Sequence, residues 1–194
     1  MKDIFIERRK KLGSIFPPNS AVVIAGASMQ YRNADSSHAF RQDSNFWYLT
    51  GFNEAESTLV VLINANNETK SIAFVPEKDE LKEIWDGYRA GPKWALQDYG
   101  FDSAFNNSEI NDRLPKLLAG NNQVFYPVGK NQLLDKNIID WIKVAKSKDR
   151  HSSAIDIADA SSKVGNERLI KDAKEIDLMK KACLISAEAH VEAM

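Results

Sequence analysis

Residues 57–75 read STLVVLINANNETKSIAFV, and this stretch decides the fold. STLVVLIN (57–64) and SIAFV (71–75) are short, apolar and rich in β-branched residues, the signature of strands covered on both faces. The polar NANNETK between them is a turn, so the two strands pair antiparallel. Upstream, AVVIA (21–25) has the same character and adds another buried strand. It is preceded by MKDIFIERRKKLGSIF, where Ile4, Phe5, Leu12 and Ile15 share one side of a helix. Glu7, Arg8, Arg9 and Lys10 fall mostly on its wet side. The run PPNS (17–20) stops that helix, because a residue before proline is pushed out of helical geometry.

Downstream of the hairpin the pattern turns helical. ELKEIWDGYRAGP (80–92) carries a short helix ended by Gly87, and Trp94 to Tyr99 forms another. SEINDRLPKLL (108–118) is a third helix with Ser108 as its N-cap and a disturbance at Pro115. Val124 to Tyr126 is a strand. NQLLDKNIIDWIKVAKSK (131–148) is an amphipathic helix with Leu133, Leu134, Ile138, Trp141, Ile142 and Ala145 facing inward. Strands alternating with helices predict an α/β sandwich, and the hairpin makes its sheet mixed. HSSAIDIADASSKVGN (151–166) is small and polar and marks a boundary. Beyond it a new helix begins, with Asp172 and Glu175 spaced as a capping box. Its Ile176, Met179, Cys183, Ala187, His190 and Met194 recur every three or four residues, which predicts a buried face holding the thiol. That helix reaches Met194 without a C-cap glycine or polar tail, so a domain cut off after its first helix is expected.

Composition narrows the function classes. With 43% hydrophobic and 27% charged residues the chain is ordinary globular material rather than disordered. A formal charge of −1 gives no basic excess to hold a phosphate backbone, which argues against nucleic acid. No apolar run is long enough for a signal peptide or a membrane span, and a cytoplasmic location is expected. Cys183 is the single cysteine, so neither an internal disulfide nor a cysteine zinc site is available.

The search for self-contained chemistry returns little. His38, His151 and His190 are scattered and match no zinc spacing. VVIAGASMQ has one glycine after a strand, which is not a dinucleotide fingerprint. No nucleophile elbow and no phosphate-binding loop occur. Asp156 and Asp159 are spaced for capping or solvation rather than for acid–base work. Two aromatic features remain: Trp85 beside Asp86-Gly87, either a core anchor or a platform at a pocket or subunit contact, and the block FRQDSNFWYLTGFNE (40–54). In that block Arg41 is expected to lock a loop by hydrogen bonds and stacking on the aromatic cluster.

Arg32-Asn33-Ala34-Asp35, FRQDSNFWYLTGFNEAES (40–57) and EIWDGYRAGP (83–92) together closely resemble the N-terminal domain of the bacterial Xaa-Pro aminopeptidase (aminopeptidase P) family. RLIKDAKEIDLMKKACLISAEAH (168–190) resembles the opening of that family's second, pita-bread metallopeptidase domain. The resemblance implies a creatinase/prolidase-type N-terminal fold, ribonuclease H-like: a mixed β-sheet with helices on both faces, over residues 1–166. Residues 167–194 would then be a linker and the first helix of the catalytic domain.

By the same resemblance, the parent enzyme releases the N-terminal residue from peptides with proline second. It uses two manganese ions held by two aspartates, a histidine and two glutamates, none of which maps onto this sequence. This chain alone is expected to be inactive, without catalytic or metal-binding residues. Its implied roles are homo-oligomerisation and the rim of a substrate pocket, with Trp85 and Arg150 as rim or subunit-contact residues. Arg41, Gln42, Phe46, Trp47, Tyr48 and Gly51 form a structural motif in which Arg41 and Gln42 fix a loop, the aromatics fill the sheet face and Gly51 turns into the next strand. Two alternatives stand beside this: a free-standing association module from a shortened reading frame, and the matching domain of a prolidase or creatinase relative.

Overall fold

The computed structural model describes residues 2–148 and 155–194. The chain divides into one compact unit from Met1 to Ser161 and a second from Ser162 to Met194. In chain order the first unit runs α1 (Lys2–Ile15), β1 (Ser20–Ala25), α2 (Ser44–Thr50), β2 (Thr58–Ile63), β3 (Thr69–Val75), α3 (Glu80–Asp86), α4 (Gly91–Tyr99), β4 (Ser103–Asn106), α5 (Ile110–Leu118), β5 (Gln123–Tyr126), α6 (Gln132–Lys148) and β6 (Asp156–Asp159).

The six strands form one sheet in the order β4-β3-β2-β1-β5-β6. β2 pairs antiparallel with β1 (Val61 opposite Val22) and with β3 (Leu59 opposite Ala73). β1–β5, β5–β6 and β3–β4 are parallel. The sheet is therefore mixed, as the hairpin reading requires. Side chains alternate between its two faces. Ala21 and Val23 pack with Val60, Ile72, Phe74, Val124 and Tyr126 against Leu114 and Leu118 of α5 and against α6. Val22 and Ile24, also fully buried, point the other way, where α1 and α2 lie and Phe16 meets the edge of the Phe125 ring at 4.8 Å. Each such side chain removed from water contributes roughly 1.5–3 kcal/mol, so the β1–β2–β3 ribbon is the stable centre of the unit.

Four sequence expectations are corrected. SNFWYLT, for which no helix was expected, is the helix α2: Asp43 accepts from the backbone N–H groups of Asn45 and Phe46, and Gly51 ends the helix at φ 64°. Leu133 is 67% exposed, because it shares a row of α6 with exposed Asp140 and Val144 while Leu134 starts the buried row. The cap before α5 is Asn106, paired reciprocally with Glu109 across a single 3-10 turn, and not Ser108. Arg9 is buried, 2% exposed, on a helix face expected to be wet. Two edge strands add to the expected set. β4 is half-buried throughout and β6 is mostly exposed, so neither carries the apolar run that marks β1 and β2.

Arg9 ties the first unit together. Its guanidinium donates to Leu49 O at the end of α2 (2.9 Å) and to Tyr99 O and Gly100 O at the end of α4 (2.9 and 2.6 Å), and it lies over the Phe101 ring. Helix C-termini carry unpaired carbonyls and partial negative charge, so one cation answers two of them.

The second unit contains α8 (Ala173–Ala193), which follows α7 (Ser161–Glu167), the helix within which the two units meet in sequence. Asp172 and Glu175 form the reciprocal capping box at the start of α8. No residue of α8 is buried. Cys183, expected on a covered face, is exposed.

Candidate functional site

The block 40–54 is organised around Gln42, which is 5% exposed. Its Oε1 accepts from the Ala27 and Asp43 N–H groups (2.6 and 2.9 Å), and its Nε2 donates to Phe52 O and Glu54 O (3.2 and 2.9 Å). All four positions of the amide are used, so one side chain joins the loop after β1, the start of α2 and the loop before β2. Phe46 is buried, Trp47 is 46% exposed with its ring edge toward Phe5, and the Gly51 Cα is approached by the Phe5 ring so closely that a Cβ would meet it at 2.3 Å. Arg41 does not stack on this cluster. It is exposed and donates only to Gln42 O (3.4 Å) and Ser44 Oγ (3.1 Å), while Arg8 lies over Tyr48 at 4.0 Å.

Glu54 links that block to the segment bearing Trp85. Its Oε1 accepts from Ala90 N at 2.6 Å, and its Oε2 is buried without a hydrogen-bond partner. Glu83 closes the same segment by accepting from Arg89 N (3.0 Å) and from Lys78 (3.3 Å). Asp79 caps α3 through Leu81 and Lys82 N–H, and those donors hold its carboxyl below the usual range. The loop is thus fixed by side chains at both ends, yet α3 turns its large apolar residues outward: Trp85 is 88% exposed, Leu81 and Ile84 are exposed beside it, and so is Tyr88 just after the helix. The core-anchor reading of Trp85 is excluded by that exposure. Beside these exposed side chains lies a groove of about 850 Å³ whose walls include Tyr31, Glu54, Trp85, Tyr88 and Arg89.

Burial raises the Glu54 pKa, an effect opposed by the Ala90 N–H and the Arg89 charge and increased by Glu83. The folded state therefore holds this proton more tightly than the unfolded chain does. Stability from Glu54 is complete below the ordinary carboxylate range and is lost as pH rises through the folded value. We expect Glu54→Gln, which keeps the acceptor for Ala90, to flatten the decline in melting temperature just above that range. A wild-type and variant series of thermal melts against pH checks it; parallel curves would remove Glu54 as the cause.

Sequence reasoning did not single out Glu54, Glu83 or Tyr88. The signal available was their position inside the blocks 40–57 and 83–92. Arg150 and His151 lie outside the described residues. Asp159 serves as a cap, accepting from Val128 N, Ser161 N and Ser161 Oγ. Among the described residues no three of His, Cys, Asp and Glu come together as metal ligands. No helix among them is long and apolar enough to cross a membrane.

Comparison with known proteins decides the family. The model for "Aminopeptidase P, N-terminal domain" matches residues 5–126. The chain belongs to the aminopeptidase P N-terminal domain family. The Xaa-Pro aminopeptidases of Escherichia coli K12 and Haemophilus influenzae are 34% and 35% identical to it, over 98% and 100% of this chain and 44% and 43% of theirs. Among solved structures, Pseudomonas aeruginosa aminopeptidase PepP superposes with a TM-score of 0.92 at 36% identity, covering 100% of this chain and 44% of that one. E. coli aminopeptidase P with the inhibitor Pro-Leu gives 0.92 at 34%, covering 98% and 44%. This aminopeptidase P domain thus spans less than half the length of these relatives, and it shares the fold of the solved ones over that length.

Proposed function

We propose that this chain is the non-catalytic partner domain of a manganese-dependent Xaa-Pro aminopeptidase, one that frees the residue ahead of a proline. The observation that carries this reading is the likeness over the full chain to just under half of such enzymes. Two manganese ions would then be held by residues outside this sequence, and no step of the reaction is routed through side chains described above. The domain's contribution is surface. The outward row of α3 (Leu81, Ile84, Trp85), with Tyr88 just beyond the helix, supplies the contact with a second copy, and Trp85 supplies an aromatic face at the rim of a peptide pocket. Arg150 is proposed for the same rim on sequence position alone. A cytoplasmic setting accompanies this reading.

The chain by itself is expected to give no manganese-dependent cleavage of an Xaa-Pro peptide after stringent purification, and turnover that co-elutes with it would refute the division of labour. In solution the chain is expected to self-associate. Trp85→Ala should shift it toward monomer by about tenfold in dissociation constant, the equivalent of losing about 1.4 kcal/mol at a central aromatic. Light scattering over a concentration series measures this, and an unchanged constant would remove Trp85 from the contact.

A further inference from the structure

The chain leaves β1 toward α2 on one face of the sheet and leaves the neighbouring parallel strand β5 toward α6 on the other. Where two adjacent parallel strands send their connections to opposite faces, the loops part and open a crevice beyond the strand ends, the place where α/β sheets take ligands. A cavity of about 710 Å³ lies at that point. Ala27 and Ser28 after β1 form one wall, and Lys130 and Asn131 after β5 form the other, with His38 and Arg41 entering from the loop ahead of α2. The single glycine of VVIAGASMQ sits at its base. No role in the aminopeptidase reading absorbs this cavity, and a ligand bound in it would be independent of that reading.

The charges around the crevice do not balance. Among the described residues lining it the one carboxylate, Asp43, is fully engaged: Oδ1 accepts from the Asn45 and Phe46 N–H groups, and Oδ2 is paired with the Lys130 ammonium. Arg41 has no carboxylate within ion-pair distance among the described residues and reaches only a neutral carbonyl and a hydroxyl. A guanidinium fork held at the mouth of a cavity, with an ammonium across from it, is the arrangement that recognises a planar or tetrahedral oxyanion. The wall behind it is rigid, because Gln42 fixes Ala27 and Asp43 by hydrogen bonds. We infer that the crevice between the ends of β1 and β5 binds a small oxyanion, a carboxylate or a phosphate, through Arg41 and Lys130.

Inorganic phosphate and acetate are the probes, titrated separately into the isotope-labelled full chain and compared with chloride at matched ionic strength. Saturable shifts of the Ala27, Ser28, Lys130 and Asn131 amides are expected with at least one of the two, with half-saturation on the order of 1 mM for two charge-assisted contacts. Which probe saturates at lower concentration identifies the ligand's chemistry. Arg41→Gln should weaken the response about tenfold. Lys130→Gln should do at least as much, because it also returns the Asp43 charge to the cavity. Shifts that chloride reproduces, shifts that never saturate, or a response unchanged in both variants would overturn the site. Should Arg41→Gln lose its dispersed spectrum, the wild-type titration and Lys130→Gln still decide the matter.

Discussion

Arg9→Met is expected to lower the unfolding free energy by about 3 kcal/mol, from three buried or half-buried carbonyls left without donors at roughly 1 kcal/mol each. Burial pulls the Arg9 pKa down to about 10, opposed by the Asp102 charge, so the ionised guanidinium is costly to hold where it is. That cost concerns charge and not the bonds, since a neutral guanidine would still donate to Leu49, Tyr99 and Gly100. Methionine fills the space but removes the donors altogether, and the ends of α2 and α4 cannot turn their carbonyls to water. The unfolded chain keeps this proton to higher pH than the folded one, so the Arg9 contribution to stability is smallest at neutral pH and rises between about 10 and the ordinary arginine value. Arg9→Lys should fall between the two, because one compact ammonium cannot span both helix ends. Urea midpoints with an unchanged slope measure these losses. A loss under about 1 kcal/mol for methionine would mean that the helix ends find other donors.

Gln42→Glu is the second large effect expected, about 3 kcal/mol or more at neutral pH. The exchange replaces the Nε2 donor by an oxygen facing Phe52 O and Glu54 O, in a site that is 5% exposed. The new acid can stay there only by taking a proton, which raises its folded pKa. Part of the lost stability should therefore return as pH falls. Gln42→Met, with four lost hydrogen bonds but no charge, should lack that recovery. If the glutamate variant were equally destabilised at all pH values, repulsion at this point would not be the reason. Losses in both variants would also loosen the walls of the crevice after β1, since Ala27 is held by the same amide.

The central strands were legible because burial on both faces demands the one thing a sequence displays without ambiguity, a run of β-branched apolar residues such as AVVIA or TLVVLI. α2 was not, because Phe46, Trp47 and Tyr48 favour strands by propensity while the helix is decided by its ends, Asp43 and Gly51. Arg9 was hidden for a different reason. Its neighbours Arg8 and Lys10 are half-buried and exposed, and only the tertiary meeting of α2 and α4 creates a place for the Arg9 cation inside. The block 40–54 announced itself, yet the division of work within it did not. Gln42 and not Arg41 is the pin, a distinction that depends on which side chain points inward. Trp85 was visible as a candidate, but its exposure comes from Gly87, Glu83 and Glu54 acting together on the loop. Glu54 carried no pattern of its own, because an acid that answers one distant backbone N–H leaves no periodic trace.

The described sheet ends on both sides in short strands, β4 and β6, four residues each, and β6 begins and ends with an aspartate. The long apolar strands that would template amyloid-like stacking are kept in the middle, and the bare backbone at the rims is brief and, on one side, negatively charged. Molecules of this domain are thereby discouraged from joining edge to edge into a continuous ribbon. Any assembly they make is left to side-chain surfaces, where stoichiometry can be closed and finite.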